Sequence, residues 1–399
     1  MKNICIVALL ICVTHSVLLA QEEAHAHALG TSLHFPNIMG YQTLKCDFHQ
    51  HTVFSDGDVW PSIRVLESLM DNLDAISLTE HIEYQPHIGD IPHKDRNRSY
   101  QIAVKEAKDH NLIIVKGSEI TRAMPPGHSN AIFIEDPNKL IVNDYKATYR
   151  EANRQHGFVF WNHSYETPKN DNISFLYEAN KQLMDSNYIH GIEIVNTHTY
   201  STEALQIAYD KNLTLMGTSD VHGLIDWDYK KGPKGHRPIT LVFSNDRTQE
   251  SIKSALFDRR TVVHFDNTLI GRDSLLIPLI NECLVIKKAY YEPKSLVLSV
   301  EIENVSSCNF ILQNLSSYSL IESSDIIEIE GRSTMTLHFR TKDKLSQLDW
   351  NFSVINAVNA PNKVPNNERP MASAIKRVKI VPDAPTRVPA MINSVESRT

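Results

Sequence analysis

Two histidines separated by one residue are the first side chains in this sequence whose spacing suits metal chemistry. His49 and His51 follow a short apolar run, and Asp56 comes soon after them in a Ser-Asp-Gly turn. Residues two apart in an extended strand point to the same side, so that both imidazoles can reach one ion. The turn can bring the Asp56 carboxylate back to the same edge. Taken alone, such a pair is equally well explained by histidines that are hydrogen-bonded within a core.

Further histidines and carboxylates follow the later apolar runs of the chain. They are His81, Glu119, His128, His163, Asp220 and His222. Asp220 and His222 repeat the spacing of two seen in His49 and His51. The carboxyl ends of the strands in a parallel barrel meet at one mouth. We therefore expect these six side chains, together with the three of the first segment, to converge on a site that holds more than one metal ion.

Strands and helices are predicted to alternate in the first half of the chain. Between Tyr41 and about Asp220, short apolar runs alternate with stretches of helical periodicity. The predicted strands are 44–48, 75–78, 112–115, 131–134, 158–161, 192–195 and 213–216. The predicted helices include 62–71, 98–110 and 246–260. This alternation favours an α/β fold whose parallel strands form a barrel.

The pattern changes after about residue 275, where apolar and polar residues alternate one by one. Leu296, Leu298, Val300 and Ile302 point to one side of a predicted strand while the residues between them point to the other. We therefore predict a small antiparallel β domain after the barrel. The predicted divisions are a lead-in at 21–40, the barrel at 41–275, the β domain at 276–382 and a flexible tail at 383–399.

The amino terminus has the layout of a secretory signal peptide, predicted at residues 1–20. Lys2 precedes an apolar run from Ile4 to Val13, which is too short to cross about 30 Å of hydrocarbon. We expect an exported protein, periplasmic or secreted, with no membrane span once this segment is removed. The three later cysteines are an odd number, which rules out a disulfide framework. A bridge between Cys283 and Cys308 stays open.

The charge balance excludes one class of partner. The 399 residues carry 47 acidic and 40 basic side chains, a formal net charge of −7. Broad electrostatic capture of a nucleic-acid backbone needs an excess of positive charge. We therefore expect no such binding, and any phosphate group would be held locally.

Across about residues 41–265 the ligand motifs, taken in order, resemble those of the PHP superfamily, the polymerase and histidinol phosphatase domain. An export signal, a Glu-Ile-Thr-Arg segment at 119–122 that leads into Met-Pro-Pro-Gly-His at 124–128, and a β-rich carboxyl-terminal region look most like the secreted Sb-PDE-type phosphodiesterases. The resemblance implies a distorted (β/α)7 TIM-like barrel, followed here by the small antiparallel β domain. It also implies up to three divalent ions.

The resemblance further implies how the ligands divide among these ions. His49, His51, Glu119 and Asp220 would hold the first ion. Glu119 would bridge to a second ion bound by His128 and His163, and the third ion would be bound by Asp56, His81 and His222. Mixed imidazole and carboxylate ligands suit manganese, iron or zinc better than magnesium.

Three other polar residues are weaker candidates for the same mouth. Arg122 could bind a phosphate oxygen and stabilise charge in the transition state, although a salt bridge on the rim explains it equally well. His198 could protonate the leaving group or orient substrate, and Tyr200 could contact substrate. A surface loop with one buried aromatic residue is the alternative for this pair.

These observations predict an exported metal-dependent phosphoesterase that hydrolyses small phosphodiesters, with monoesters and triesters as further candidate substrates. Two ions about 3.5 to 4 Å apart can lower the pKa of a bound water from 15.7 to about 7, and the resulting metal-bridging hydroxide would attack phosphorus. Two alternatives stay open. One is a phosphomonoesterase resembling histidinol phosphatase, and the other is a noncatalytic metal-carrying binding protein.

Overall fold

The fold was analysed in a computed structural model. It describes residues 32–166, 173–229, 235–361 and 371–380. The predicted signal peptide at 1–20 and the predicted tail at 383–399 lie outside the described residues.

The amino-terminal part is built on a sheet whose strands supply the ends on which the candidate ligands lie. Its strands are β1 Gln42–Asp47, β2 Ala75–Leu78, β3 Ile113–Ile120, β4 Ser129–Ile132, β5 Phe158–Trp161, β6 Gly191–Asn196, β7 Thr199–Tyr200, β8 Thr214–Thr218, β9 Ile239–Ser244, β10 Thr261–Phe265 and β11 Thr268–Gly271. Strands β1, β2 and β3 pair in parallel, and so do β5, β6 and β8.

The sheet closes into a ring of seven strands. β8 continues into a parallel bridge between Gln50 and Val221, which joins it to the chain just after β1. The backbone N–H of Asp220 donates to the carbonyl oxygen of His49 at 2.8 Å. The ring therefore runs through β1 to β6 and β8. The predicted α/β barrel class is confirmed.

One of the predicted parallel strands runs in the opposite direction. β4 is antiparallel to both β3 and β5, and it begins at Ser129 rather than at Ala131. Only residues 121–128 connect it to β3. A parallel crossover needs a dozen or more residues, usually with a helix, so this short connection can only form a hairpin. The hairpin places Glu119 and His128 at the same edge of the barrel.

Helices cover the outside of this sheet. They are α1 Pro61–Met70, α2 Arg98–Ala107, α3 Tyr145–Arg154, α4 Glu178–Asp185, α5 Thr202–Asp210, α6 Ile225–Asp228, α7 Gln249–Phe257 and α8 Asp273–Cys283, with 3-10 turns at Pro86–Gly89 and Pro137–Leu140. α1 starts with Pro61, whose fixed φ suits a first helical turn. Ser201 caps α5 and Thr248 caps α7, each side-chain oxygen accepting from a backbone N–H of the first turn. The predicted helices at 62–71, 98–110 and 246–260 correspond to α1, α2 and α7.

The carboxyl-terminal part is antiparallel, as predicted, and its strands form a sandwich of two sheets. Its strands are β12 Leu284–Tyr291, β13 Val297–Asn304, β14 Phe310–Asn314, β15 Ser319–Ile321, β16 Ile326–Ile329, β17 Ser333–Arg340, β18 Gln347–Val358 and β19 Met371–Lys379. One sheet has the order β12-β13-β17-β15, and the other has β16-β14-β18-β19. Leu298, Val300 and Ile302 of β13 are buried, as their alternation predicts.

The two parts share a sheet and a core. β18 pairs in parallel with β11, so that the barrel's sheet continues into the sandwich. α8 spans residues 275–276, where the sequence predicts a boundary. Leu276 and Leu279 of α8 are buried in one hydrophobic cluster with residues of both parts. Within the described ranges, no helix combines the length and apolarity needed to cross a membrane.

Candidate metal centre

The ends of the barrel strands bring His49, His51 and Asp220 into the first of three groups of candidate ligands. The Nε2 atoms of the two histidines lie 3.1 Å apart. Asp220 Oδ1 is 3.0 Å from Nε2 of His49 and 3.1 Å from Nε2 of His51. The carboxylate of Glu119 is 3.5 and 3.4 Å from the same two nitrogens. Two imidazoles and two carboxylates therefore face one point, and both rings are fully buried.

The second group surrounds Asp56. Its two oxygens lie 3.3 Å from His81 Nε2 and 3.2 Å from His222 Nε2, and its Oδ1 is 3.5 Å from His51 Nδ1. The ring of His51 stacks between the other two rings, with centroid distances of 4.6 Å to His81 and 4.4 Å to His222. The Ser-Asp-Gly turn thus returns a carboxylate to the ligand cluster.

The third group is centred on Glu119, and it differs from the expected set. Glu119 Oε2 lies 2.7 Å from His81 Nδ1, and Oε1 lies 3.2 Å from His128 Nδ1. His163 Nε2 is farther from this carboxylate, at 3.6 Å from Oε1. His81 therefore faces Glu119 with one ring nitrogen and Asp56 with the other. All nine candidate ligands lie in one continuous cluster.

Local backbone geometry turns two of these side chains into the cluster. Asp220 has φ of 48° and His163 has φ of 23°, in the left-handed region that residues other than glycine rarely occupy. Such conformations cost of order 1 kcal/mol or more, and they persist where surrounding bonds enforce them. Here the backbone N–H of His163 donates to a carboxylate oxygen of Glu193 at 2.8 Å, and that of Asp220 donates to His49.

A solved relative connects this geometry with a known family. The chain is 39% identical to a Bacteroides vulgatus protein described as a two-domain protein containing a predicted PHP-like metal-dependent phosphoesterase. The match covers 86% of this chain and 98% of that one, with a TM-score of 0.77. This chain belongs to the family of PHP-like metal-dependent phosphoesterases.

The other comparisons cover less of the molecule. A family model described as an Ig-like domain matches residues 284–368, the main part of the β-sandwich. An uncharacterized protein of Methanocaldococcus jannaschii is 31% identical over 84 residues, 21% of this chain, and the match spans only 36% of that protein. A putative metal-dependent phosphoesterase from Bifidobacterium adolescentis is 14% identical over 54% of this chain and 96% of its own, with a TM-score of 0.38.

In this PHP-like cluster, contacts between histidines and carboxylates shift the pKa values of both. Burial raises the pKa of Asp56, but its close contacts with His222 and His81 outweigh burial and hold the pKa well below its usual range. Burial lowers the pKa of His81, yet Glu119 and Asp56 raise it to about 10. Burial dominates at His51 and lowers its pKa to about 4. The carboxylates therefore stay ionised at neutral pH.

The donor set fits divalent cations. Asp56 Oδ1, Glu119 Oε2 and His128 Nδ1 are buried atoms without a well-oriented hydrogen bond in the described residues. Each of these atoms lies close to another candidate ligand: Asp56 Oδ1 is 3.2 Å from His222 Nε2, Glu119 Oε2 is 2.7 Å from His81 Nδ1, and His128 Nδ1 is 3.2 Å from Glu119 Oε1. Lone pairs that converge in this way are the arrangement that a cation stabilises.

Glu193 in β6 is a functional candidate that the sequence analysis missed. Its side chain is buried and its oxygens accept hydrogen bonds from His49 and His163. A second missed contact comes from Asn162, whose Nδ2 donates to Glu119 Oε1 at 2.7 Å. The available signal was the presence of a carboxylate within the otherwise apolar run 192–195.

A buried ion pair behind the cluster was also missed. Ser219 donates to both oxygens of Asp47, through its Oγ at 2.6 Å and its backbone N–H at 3.1 Å. Arg237 donates to Asp47 Oδ2 at 3.3 Å and also pairs with Asp71. Asp47 thereby ties the end of β1, which carries His49, to the end of β8.

The three weaker candidates lie in different surroundings. Arg122 pairs with Glu83 at 2.9 Å and donates to carbonyl oxygens of Val142 and Asn143. His198 is exposed, and its ring lies 4.8 Å from that of Tyr229 on the wall of a cavity of about 360 Å³. Tyr200 packs against the hydrophobic cluster beneath β6. Their roles toward substrate stay predictions.

Proposed function

We propose that this chain hydrolyses phosphodiesters at a centre of two or three divalent ions. The observation that carries the proposal is the position of Glu119. Its carboxylate faces His49 and His51 on one side and His128 and His81 on the other, at distances between 2.7 and 3.5 Å. A carboxylate that lies between two ligand groups is what a bridged pair of ions requires.

Each ion is assigned a set of ligands. His49, His51, Glu119 and Asp220 would hold the first ion, and Glu119 would bridge to a second held by His128 and His163. The third would be held by Asp56, His81 and His222. Manganese, iron and zinc suit this mixture of imidazoles and carboxylates. Because His81 also lies against Glu119, its ring could bind either the second or the third ion.

Bound ions would activate water for attack on phosphorus and offset the charge of the phosphoryl oxygens. The protein's own residues hold the ligands in place. Glu80 accepts from Ser55 Oγ at 2.6 Å, and that hydroxyl lies 3.1 Å from His51 Nδ1. Glu193 instead contacts His49 Nδ1 directly, at 2.8 Å. Both imidazoles are thus oriented through the nitrogen that points away from the first group.

The choice of a diester rests on charge. In the described residues, the ion-pair partners of Asp56, Glu119 and Asp220 are all histidines, and Arg122 pairs with Glu83. A phosphodiester carries one negative charge, whereas a monoester carries nearly two at neutral pH. A mouth in which no lysine or arginine of the described residues pairs with these three carboxylates suits the singly charged ester better.

We also propose that the protein is exported, as the layout of residues 1–20 predicts. The Ig-like sandwich is compatible with a periplasmic or extracellular location. Fractionation of cells that express the full chain would place the protein outside the cytoplasm and about 20 residues shorter. Retention of the whole chain in the cytoplasm would contradict this part of the proposal.

The test is hydrolysis of bis(p-nitrophenyl) phosphate beside p-nitrophenyl phosphate. Protein stripped of metal is reloaded in turn with manganese, iron and zinc. We expect diester cleavage that needs metal, that His49→Ala abolishes and that His110→Ala leaves unchanged, because His110 is exposed. Cleavage of the monoester alone would overturn the diester proposal in favour of a phosphomonoesterase, and no cleavage of either ester with metal bound would count against hydrolysis altogether.

A further inference from the structure

The buried carboxylate of Glu193 accepts hydrogen bonds from four groups in or beside the ligand cluster. Its Oε1 accepts from His49 Nδ1 at 2.8 Å and from Thr218 Oγ1 at 2.6 Å. Its Oε2 accepts from the backbone N–H of His163 and from Asn196 Nδ2, each at 2.8 Å. Its side chain is almost completely buried. One carboxylate therefore bonds to groups on the chain after β1, after β5, in β6 and in β8.

We infer that Glu193 is a positioning residue that fixes the tautomer of His49 and so sets the affinity of the first metal position. The inference rests on the proposed function for the identity of that position. When His49 Nδ1 carries the proton that Glu193 accepts, Nε2 of a neutral ring keeps its lone pair. That lone pair faces Asp220 Oδ1 and His51 Nε2, at 3.0 and 3.1 Å.

The second oxygen of Glu193 reaches two other proposed ligands. Through the backbone N–H it holds His163 in its left-handed conformation. Through Asn196 it acts on Asp220, because Asn196 Nδ2 also lies 3.2 Å from Asp220 Oδ2. Tyr165 Oη donates to Asn196 Oδ1. A flipped amide would place Asn196 Oδ1 against two carboxylates, so the orientation of Asn196 is fixed.

These contacts predict that an amide cannot replace the carboxylate. All four partners donate, and the backbone N–H of His163 and the Asn196 amide cannot become acceptors. In Glu193→Gln the amide oxygen must therefore remain at the Oε2 position, which places the NH₂ group against His49 and Thr218. The Thr218 hydroxyl can rotate and accept. His49 can accept only by moving its proton to Nε2, which removes the metal-binding lone pair.

The test compares zinc binding by wild type and Glu193→Gln, with zinc alone as the probe. Affinity is measured by competition with a chromophoric chelator, and the ring nitrogens of the zinc-loaded proteins are observed by ¹⁵N histidine NMR. Asp74→Asn is the matched control, because Asp74 is a buried carboxylate that pairs with Lys45 and Arg247 at the opposite end of the barrel. Neither measurement uses an ester, so failure of hydrolysis would affect only the proposed function.

We expect Glu193→Gln to bind its tightest zinc about 10- to 100-fold more weakly, as is typical when a ligand loses its outer partner. We also expect the protonated Nδ1 signal of His49 to be lost in this variant and kept in Asp74→Asn. Unchanged affinity with an unchanged His49 signal would overturn the inference. Wild type gives a test that needs no variant, since a zinc-loaded His49 without a proton on Nδ1 would equally overturn it.

Discussion

Among the single residues of the cluster, Asp220 contacts two candidate ligands with one oxygen atom. Asp220 Oδ1 lies within 3.1 Å of Nε2 of both His49 and His51. Burial raises the pKa of Asp220, but His49 and His51 outweigh burial and hold the pKa below its usual range. The Asp220 carboxylate is therefore the charge that allows two imidazole nitrogens to face the same point.

We expect Asp220→Asn to lower both metal affinity and kcat/KM for the diester by more than about 100-fold, because loss of an outer partner alone costs 10- to 100-fold. The side-chain shape is kept while the charge is lost. Chelator competition and initial rates measure the two effects. Asp349→Asn, on the exposed surface of the sandwich, should change neither, and an Asp220→Asn variant with wild-type affinity would remove Asp220 from the ligand set.

The burial of His190 should make the free energy of unfolding depend on pH. Burial lowers the pKa of His190 to about 4, while its Nδ1 accepts a hydrogen bond from the backbone N–H of Val159. The unfolded chain takes up this proton near pH 6.5 and the folded chain does not. The stabilisation is therefore complete above pH 6.5 and is lost as the pH falls, by about 2 kcal/mol between pH 7 and 5.

His190→Asn should flatten this part of the stability profile by the same amount, whatever its effect at pH 7. Urea unfolding at several pH values measures the slope. His156→Asn is the control, because His156 is exposed and has a φ of 55° that asparagine tolerates. A slope equal to that of wild type in His190→Asn would contradict the assignment.

The convergence of the nine candidate ligands could be predicted from the sequence, because it follows from two general rules of strand geometry. Residues two apart, such as His49 and His51, share a side, and parallel strand ends share a mouth. The sequence analysis missed Glu193 because no local rule states which side chain of β6 reaches β1. Distances between strands depend on barrel closure, which single-strand patterns do not contain.

At the scale of elements, β8 is packed so closely that its geometry controls where Asp220 lies. A Cβ atom added at Gly217 would lie 2.3 Å from Val263 Cγ1 of β10. The backbone N–H of Gly217 also donates to Thr240 Oγ1 in β9 at 3.0 Å. Glycine is therefore required here by the close approach of neighbouring strands rather than by its backbone dihedral angles.

Gly217→Ala should destabilise the fold by about 1 to 3 kcal/mol through overpacking. Because β8 ends just before Asp220, the variant should also bind zinc more weakly. Thermal unfolding and chelator competition measure the two effects. Gly89→Ala, with nothing within 4 Å of the added atom, should leave both unchanged, and a Gly217→Ala variant as stable as wild type would show that β8 can shift without cost.

The strand β4 was predicted from the sequence, but its antiparallel direction was not. The apolar run was recognised, yet its pairing depends on the length of the connection from β3, and the sequence analysis assumed one repeated pattern. The hairpin from Ile120 to Ser129 also explains how Glu119 and His128 come together, which a helical crossover would not achieve so directly. The apolar run by itself predicts a strand, whereas the direction of that strand depends on how it is connected to β3.

At the scale of the whole molecule, the barrel and the Ig-like sandwich are joined by more than a linker. β11 and β18 pair directly, and α8 contributes Leu276 and Leu279 to a cluster that includes Leu241 of the barrel and Phe339 of the sandwich. The change of pattern near residue 275 predicts a division between two architectures. The sequence pattern could not reveal that the two hydrophobic cores are continuous, because contacts between the barrel and the sandwich produce no periodic pattern of apolar residues.

This continuity predicts that the two parts unfold together. Hydrogen exchange of peptides from β1 and from β13, followed by mass spectrometry through a urea series, should give coincident transitions. Leu279→Ala should lower the free energy of unfolding of both by about 2 to 5 kcal/mol. Leu296→Ala, at a residue 43% exposed, should have little effect, and separate transitions in wild type would show independent domains.

In the proposed reaction, the histidine and carboxylate cluster holds the ions that cleave a phosphodiester. Its most direct test is the rate of bis(p-nitrophenyl) phosphate hydrolysis as manganese is added in known equivalents to metal-stripped protein. We expect a rise to a plateau at two or three equivalents, and no rise in Asp220→Asn. A rate that stays at the metal-free level while manganese binds would contradict the proposed reaction.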